Sequence, residues 1–166
     1  MMKLGFSGIT NEPFVGLYGP AFAEQLEAAG LGFSREIELI QLANEKDIFS
    51  FAWAFNAEEA RRMAKAGADG IGAMIGVTSG GLTGAKKTIS IEEASEQMRL
   101  IVQAAKDVNP NIIVLTHGGP FKDPATAEYS IKHSGAHGYA AGSSGERLPT
   151  EQAVIALTKE YKNISP

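Results

Sequence analysis

The 166-residue chain has an ordinary globular composition, with 44% hydrophobic and 20% charged residues. Its formal net charge is −4, from 15 basic and 19 acidic residues, and it contains no basic run, which argues against nucleic acid or an anionic membrane as a partner. The absence of cysteine excludes disulfides and thiolate chemistry, and no apolar stretch approaches the roughly 20 residues of a membrane span. We expect one domain over residues 1–166 and, because no export signal is present, a cytoplasmic location.

Strands and helices alternate along the predicted secondary structure. Apolar runs and period-2 patterns predict strands over residues 3–10, 48–55, 68–75, 112–115 and 136–141. Capping signals and 3.6-residue periodicity predict helices over residues 21–29, from a cap at Ser34, from Asn56 to Gly67, from Ser90 to before Pro110, from Asp123 to Gly135, and from Pro149 onward. The residues between 76 and 88 form a long glycine-rich loop.

This alternation predicts an α/β fold with five parallel strands joined by helices. The continuous aliphatic run at residues 112–115 is typical of a strand that is covered on both faces. A Gly-Ala-x-Gly sequence occurs at residues 67–70 and again at 135–138, and such repeats are common in (β/α)8 barrels. Those barrels need about 250 residues, so the sequence predicts a partial TIM barrel that cannot close by itself.

Polar and glycine residues cluster just after the predicted strands, where parallel α/β folds bind their ligands. His117 follows the fourth strand and is a candidate acid or base; a packed, buried histidine is the alternative. Glycine-rich turns on the last two strands are candidates to hold a phosphate or carboxylate through backbone N–H groups: Gly118 and Gly119, then Gly142, Ser143 and Ser144. Arg147 either donates a bidentate pair of hydrogen bonds to that anion or pairs with Glu146 or Glu151.

Three further sets of residues complete the predicted site. The loop over residues 76–87 has the length and composition of a mobile lid, with Thr78, Ser79, Gly80 and Gly81 closing over a substrate. Glu36 and Glu38 lie two apart near a helix start, so they cannot share a face, and one of them is a candidate base or metal ligand. Asn56, at the end of the second long strand, is a candidate substrate contact as well as a helix cap.

An ordered set of motifs resembles the phosphoenolpyruvate hydrolase-like family of TIM-barrel proteins, also described as predicted signal-transduction proteins. The motifs lie at residues 32–40, 55–60, 66–69, 76–81, 116–120 and 142–149, and the resemblance extends from about Leu4 to about Ala153. It covers the later part of the family's barrel, so we expect the earlier strands to be missing before Met1. Met74 stands where the family pattern has histidine, and Gly145 where it has methionine.

The resemblance implies an enzyme of the hydrolase or lyase type that acts on a small phosphorylated or carboxylated acid. Related enzymes often use magnesium, so Mg²⁺ is the expected metal if one is used, and its ligands are not identified. Met74 in place of the histidine instead favours a non-catalytic sensor that binds the same anionic metabolite. A third expectation is an incomplete barrel that functions only on assembly, either as a homo-oligomer or with a missing half-barrel.

Overall fold

The computed structural model describes residues 2–165, and five parallel strands form its centre. The strands are β1 (Gly8–Thr10), β2 (Phe49–Ala54), β3 (Gly70–Met74), β4 (Ile113–His117) and β5 (Gly138–Tyr139). The helices are α1 (Pro20–Ala28), α2 (Phe33–Glu45), α3 (Ala57–Lys65), α4 (Ile91–Lys106), α5 (Pro124–Ser134) and α6 (Arg147–Lys162). Two short 3₁₀ turns cover Met2–Leu4 and Val15–Leu17.

The strands lie side by side in chain order, β1-β2-β3-β4-β5, and every neighbouring pair is parallel. A doubly wound fold would reverse its strand order at a switch point, whereas a barrel keeps the sequential order. The predicted α/β fold, a partial TIM barrel of five parallel strands, is therefore confirmed. No helix among residues 2–165 combines the length and apolarity that crossing a bilayer requires.

One face of the sheet is buried beneath the helices and carries the hydrophobic core. Alternate strand residues such as Ala52, Ile71 and Val114 are fully buried there, as the period-2 geometry of strands requires. The largest of their core neighbours are Ile40, Met63, Met98, Ile101, Ile112 and Phe121. Helix α4 alone contributes seven buried residues to this side.

The opposite face of the sheet, here named the helix-free face, has no helix over it within residues 2–165. It consists of the strand residues that alternate with the buried ones: Gly8, Thr10, Phe49, Phe51, Trp53, Gly70, Gly72, Met74, Ile113, Leu115, His117 and Gly138. Phe49 and Ile113 remain 49% and 47% exposed on this face.

Most of the predicted helix caps are confirmed. The side chains of Asn56, Ser90 and Asp123 each accept a hydrogen bond from the backbone N–H three residues on. Asp123 and Thr126 form a reciprocal capping box, and Gly135 ends α5 in the left-handed conformation that glycine favours.

Two predicted helix starts are wrong. Helix α2 begins at Phe33 with Gly32 as its N-cap, so Ser34 lies inside the first turn. The N–H of Ser34 instead donates to the Glu27 carboxylate at 3.1 Å, and that acidic side chain satisfies a helix-terminal donor in place of a cap. Helix α6 begins at Arg147, and Pro149 lies in its first turn, where a missing N–H removes no intrahelical bond.

The two outer strands are shorter than predicted. Strand β1 covers Gly8–Thr10 rather than residues 3–10, and β5 covers Gly138–Tyr139 rather than residues 136–141. Each outer strand pairs with one neighbour only within residues 2–165, and directly after β1 the Asn11 side chain bonds both backbone groups of Trp53 in place of a backbone ladder.

Candidate functional site

His117 ends β4 and lies opposite Met74 of β3 in the sheet register. Its Nδ1 is 2.7 Å from the backbone oxygen of Ala140. A carbonyl oxygen can only accept, so Nδ1 carries the proton in this hydrogen bond. Nε2 is then the nitrogen that can exchange a proton with a ligand. The backbone after β5 thus fixes both the orientation and the tautomer of the imidazole.

Aromatic rings flank His117 on two sides. The Trp53 ring meets it edge-on, with centroids 5.1 Å apart, and the Tyr139 ring lies nearly parallel to it at 6.4 Å. A Cβ built on Gly142 would lie 3.2 Å from His117 Cε1, so the imidazole sits directly against the start of the turn after β5. The structure therefore brings together His117 and the turn at residues 142–145, as the strand-end argument predicted.

The turn after β5 has a run of unengaged backbone donors. The oxygen of Gly142 accepts the N–H groups of Gly145 and Glu146 at 2.9 and 3.0 Å. Within residues 2–165, however, the N–H groups of Gly142, Ser143 and Ser144 have no hydrogen-bond acceptor. Helix α6 begins three residues beyond Ser144, so the positive end of its dipole lies next to these donors.

Ser144 and Tyr139 form a small hydrogen-bonded group beside that turn. The Tyr139 hydroxyl donates to the backbone oxygen of Phe121 at 2.6 Å, and its oxygen is 3.0 Å from Ser144 Oγ. Burial raises the pKa of Tyr139 above its ordinary value, opposed by the hydrogen bond with Ser144. Tyr139 therefore remains a neutral donor that ties β5 to the segment after β4.

The backbone of the Gly118–Gly119 turn is hydrogen-bonded to the loop after β3. The Gly119 N–H donates to the Gly76 oxygen at 3.1 Å, and the Gly119 oxygen accepts from the Ser79 N–H at 2.9 Å. A Cβ on Gly118, whose φ is +80°, would lie only 2.1 Å from the Gly76 oxygen. These glycines let the loop after β3 approach the end of β4, and the Gly119 N–H is not free to hold an anion as the sequence had suggested.

Arg147 and Glu151 fasten the predicted lid to α6. Arg147 Nη1 donates to the Gly80 oxygen at 2.9 Å and to Glu151 Oε1 at 3.2 Å. The other Glu151 oxygen accepts the Leu82 N–H at 2.8 Å, and that hydrogen bond is the main reason why the pKa of Glu151 is lowered. Of the two alternatives for Arg147, the structure shows the pairing with Glu151. Closure of the loop over a substrate stays a prediction.

Gly80, Gly81 and Ser144 line a separate cleft of about 350 Å³. Its other walls include Lys122, Leu148 and Gln152, so it lies between the N-terminal ends of α5 and α6. Thr78 is buried, and its backbone oxygen accepts a hydrogen bond from the Ala85 N–H at 3.1 Å. The predicted binding residues therefore divide between the His117 side of the rim and this outer cleft.

Glu36 is buried at the far end of the sheet and accepts two hydrogen bonds. Asn11 Nδ2 donates to Oε2 at 2.5 Å, and the Val15 N–H donates to Oε1 at 2.7 Å. Burial raises the pKa of Glu36, and these two hydrogen bonds oppose the rise. Asn11 also bonds both backbone groups of Trp53, so Glu36 holds the loop after β1 against β2.

The remaining predicted residues lie elsewhere. Glu38 is exposed on α2, and the Asn56 side chain is occupied as the cap of α3, with its oxygen accepting from the Glu59 N–H at 2.9 Å. Catalytic or substrate roles for these two side chains stay predictions. Over residues 2–165, no three His, Cys, Asp or Glu side chains are grouped so as to hold a metal ion, and Mg²⁺ binding also stays a prediction.

Sequence reasoning missed Trp53 and Tyr139 as neighbours of His117. Trp53 is the only tryptophan of the chain and occupies the same strand face as Phe49 and Phe51, which the period-2 pattern does indicate. Its contact with a residue on β4 depends on Gly72 of the intervening strand, over which the indole lies. That relation becomes visible only once the register is known.

The sequence model of the phosphoenolpyruvate hydrolase-like family matches residues 1–164. The chain belongs to this family. The match confirms the resemblance drawn from the ordered motifs.

Family relatives occur in Solanum lycopersicum. The chain is 43% identical to the ToMV susceptible protein tm-1(GCR26) over 164 residues, which are 98% of this chain and 22% of that protein. It is 42% identical to the ToMV resistance protein Tm-1(GCR237), with the same coverage of 98% and 22%. The chain thus spans about a fifth of the length of these curated relatives.

Among solved structures, the chain is similar to 2,3-dimethylmalate lyase, a member of the PEP mutase/isocitrate lyase superfamily. The TM-score is 0.46 and the sequence identity 12%, with 96% of this chain and 75% of that chain covered.

Proposed function

We propose that the chain contributes the binding site of a hydrolase or lyase for a small phosphorylated or carboxylated acid of the phosphoenolpyruvate type. One observation carries this proposal. An imidazole whose Nδ1 is bonded to Ala140 lies against a turn with unengaged backbone donors, at the carboxyl ends of parallel strands. Family membership supports the substrate class.

The anion is bound by the turn after β5. Successive N–H groups of Gly142, Ser143 and Ser144 provide donors, and the Ser143 hydroxyl adds another. The N-terminus of α6 favours negative charge there by about 0.3–1 kcal/mol. The Gly118–Gly119 turn supports this site by holding the loop after β3 in place.

His117 transfers a proton through Nε2, because Nδ1 is bonded to Ala140. In its neutral form the imidazole accepts a proton from water or from a substrate carbon acid, and in its charged form it donates to a leaving oxygen. The flanking rings of Trp53 and Tyr139 limit its rotation and exclude water from two sides. Neither Glu36 oxygen is needed in this scheme.

Binding and turnover can be measured separately. Because Trp53 is the only tryptophan and touches His117, its fluorescence reports directly on a ligand at this rim. Titration with phosphoenolpyruvate or oxaloacetate should change that emission and raise the melting temperature, and a ligand at 100 times its Kd adds about 2.7 kcal/mol of stability. Product analysis then tests for a reaction.

His117→Ala should lower turnover about 10²–10⁴-fold while leaving the fold intact. His133→Ala is the matched control, because His133 is exposed on α5 and stacks on Tyr129 away from the site. Unchanged turnover in His117→Ala would remove the imidazole from the mechanism.

A second candidate is a sensor that binds the same anion without converting it. Met74, at the position where the family pattern has histidine, is the direct register partner of His117. This neighbour can neither donate nor accept a proton near pH 7, so the rim has one imidazole where two are expected. Stabilisation by ligand without product, together with turnover gained in Met74→His, would support the sensor. Turnover by the unmodified chain would contradict it.

A further inference from the structure

The Trp53 indole lies over a glycine on the helix-free face, so the groups beside it decide where it points. A Cβ on Gly72 would come within 2.3 Å of the indole, and the absence of that atom is what lets the ring lie there. The rings of Phe51 and Phe14 are its lateral contacts, with centroids 5.5 and 6.1 Å away. The indole in turn meets the His117 ring at 5.1 Å. Whatever holds Trp53 therefore also limits where the imidazole can turn.

Asn11, the first residue after β1, holds the backbone of Trp53 with its side chain. Its Oδ1 accepts the Trp53 N–H at 2.8 Å, and its Nδ2 donates to the Trp53 oxygen at 3.2 Å. A side-chain amide has the donor and the acceptor of a peptide group, so Asn11 pairs with β2 as a further strand residue would. Asn11 is only 3% exposed, so water has little access to compete for these bonds.

Glu36 of α2 joins two parts of the loop after β1. One of its carboxylate oxygens accepts from Asn11 Nδ2, and the other accepts the Val15 N–H at 2.7 Å. Asn11 leads to the backbone of Trp53, and Val15 follows Phe14, whose ring packs on the indole. Both paths from this one carboxylate therefore end at Trp53. Because Glu36 and Asn11 are both buried, a donor that lost this acceptor would have little water to replace it.

We infer that Glu36, acting through Asn11, is a positioning residue that sets the Trp53 indole against His117. It exchanges no proton in the proposed reaction, and its effect on turnover rests on that proposed function. The Ala140 oxygen holds the imidazole from the β5 side, and the indole bounds it from the β2 side. A carboxylate suits this place because two donors converge on it and each of its oxygens accepts from one of them. An amide of the same shape has only one oxygen.

The energetics of Glu36 also point to a role other than stability. Burial raises the pKa of this carboxylate, and its two hydrogen bonds oppose the rise without cancelling it. Among residues 2–165 it has no salt-bridge partner, and Glu59 adds a like charge. A buried charge that reduces stability is expected at functional sites more than elsewhere.

A reciprocal exchange of the two side chains tests this role. Glu36→Gln leaves one oxygen for two donors, so one of the two hydrogen bonds to position 36 is lost. Adding Asn11→Asp reverses the hydrogen bond between the two positions: the new amide at position 36 donates to the new carboxylate at position 11, and its oxygen still accepts the Val15 N–H. The other carboxylate oxygen still accepts the Trp53 N–H. The double variant gives up only the 3.2 Å bond to the Trp53 oxygen and has the net charge of the unmodified chain.

Two signals report the position of the indole without any ligand. Trp53 is the only tryptophan, so its fluorescence emission can be followed directly. The Cε1 proton of His117, one of three histidines, senses the ring current of the neighbouring indole in NMR spectra. Glu36→Gln should shift both signals, and Asn11→Asp/Glu36→Gln should return both close to their original values.

Asp69→Asn is the matched control. The Asp69 carboxylate accepts the Ser50 N–H at 2.8 Å near the other end of β2, so this variant changes a similar bond on the same strand without touching Trp53. Both signals should stay unchanged in it. Shifts as large as those of Glu36→Gln would indicate general loosening of β2 and overturn the inference. Unchanged signals in Glu36→Gln, or a double variant that recovers neither signal, would overturn it too.

Turnover separates this inference from the proposed function. With phosphoenolpyruvate as the probe, Glu36→Gln should lower kcat about 10–100-fold, the effect of displacing a catalytic group by about 1 Å, and the double variant should recover it. A chain without turnover would contradict the proposed reaction, and the two ligand-free signals would then decide the positioning role. If the unmodified chain turns over and Glu36→Gln has the same kcat, the position of the indole does not matter for the reaction and the inference is wrong.

Discussion

The contact between Gly72 and Trp53 gives a quantitative test of how the rim is built. A Cβ added at Gly72 would lie 2.3 Å from Trp53 Cε3 and 2.8 Å from Phe51 Cε1. Carbon atoms in contact prefer about 3.5–4.0 Å, so Gly72→Ala must displace both rings by roughly 1 Å. Trp53 cannot move freely, because the His117 and Phe51 rings lie 5.1 and 5.5 Å from it.

Overpacking of this kind costs about 1–3 kcal/mol. For a domain of this size each kcal/mol corresponds to roughly 2–4 °C, so the melting temperature should fall by about 2–12 °C. Gly145→Ala is the control: its Cβ would meet Ala141 Cβ at an ordinary 3.5 Å, so the change should stay within about 1 kcal/mol.

A double-mutant cycle shows whether the indole is responsible. In a Trp53→Ala background most of the cost of Gly72→Ala should disappear, which gives a coupling energy of about 0.5–3 kcal/mol between the two sites. Thermal unfolding measures the stabilities, and emission from Trp53 in the single Gly72→Ala variant shows whether the ring has moved. An unchanged melting temperature and spectrum, or a cost that persists without the indole, would refute the packing described for this face.

Three further outcomes follow from named contacts. Asp123→Ala should destabilise the protein by about 1 kcal/mol at pH 7, as measured by urea unfolding. Hydrogen bonding from the Thr126 backbone lowers the pKa of Asp123. The loss of stability in the variant should therefore shrink as pH falls through that pKa. Arg147→Met should speed hydrogen exchange at the Leu82 N–H, whereas loss of the exposed Arg99–Glu96 pair in Arg99→Met should not. Burial raises the pKa of Glu36. The stability that the Glu36 side chain contributes is therefore complete below about pH 4 and falls as pH rises through its folded-state pKa. Glu36→Gln should remove this pH dependence from the free energy of unfolding.

The order of elements could be predicted because each signal is local. Capping side chains at Asn56, Ser90 and Asp123 act within three residues, and alternation in β2 needs only its own sequence. The two wrong helix starts depend on residues that lie before the helix itself. Glu27 on the preceding helix takes the role expected of Ser34, and a turn bond from the Leu148 N–H to the Ser143 oxygen precedes Pro149.

The site was harder to predict because a glycine after a strand has more than one structural meaning. Gly118 and Gly142 both follow a strand and give the same sequence signal, yet Gly118 admits the Gly76 oxygen whereas Gly142 admits the edge of His117. In the first turn the neighbouring Gly119 N–H is bonded inside the protein, and in the second the N–H groups remain unengaged within residues 2–165.

Sequence can place both turns at one rim, since that follows from parallel strand direction alone. Deciding which turn has donors left for an anion requires knowing where the loop after β3 goes, and that loop is positioned by Arg147 and Glu151, more than 60 residues further along the chain. Under the proposed function, the candidate anion site narrows to residues 142–144, beside His117, whose orientation is fixed by the Ala140 oxygen.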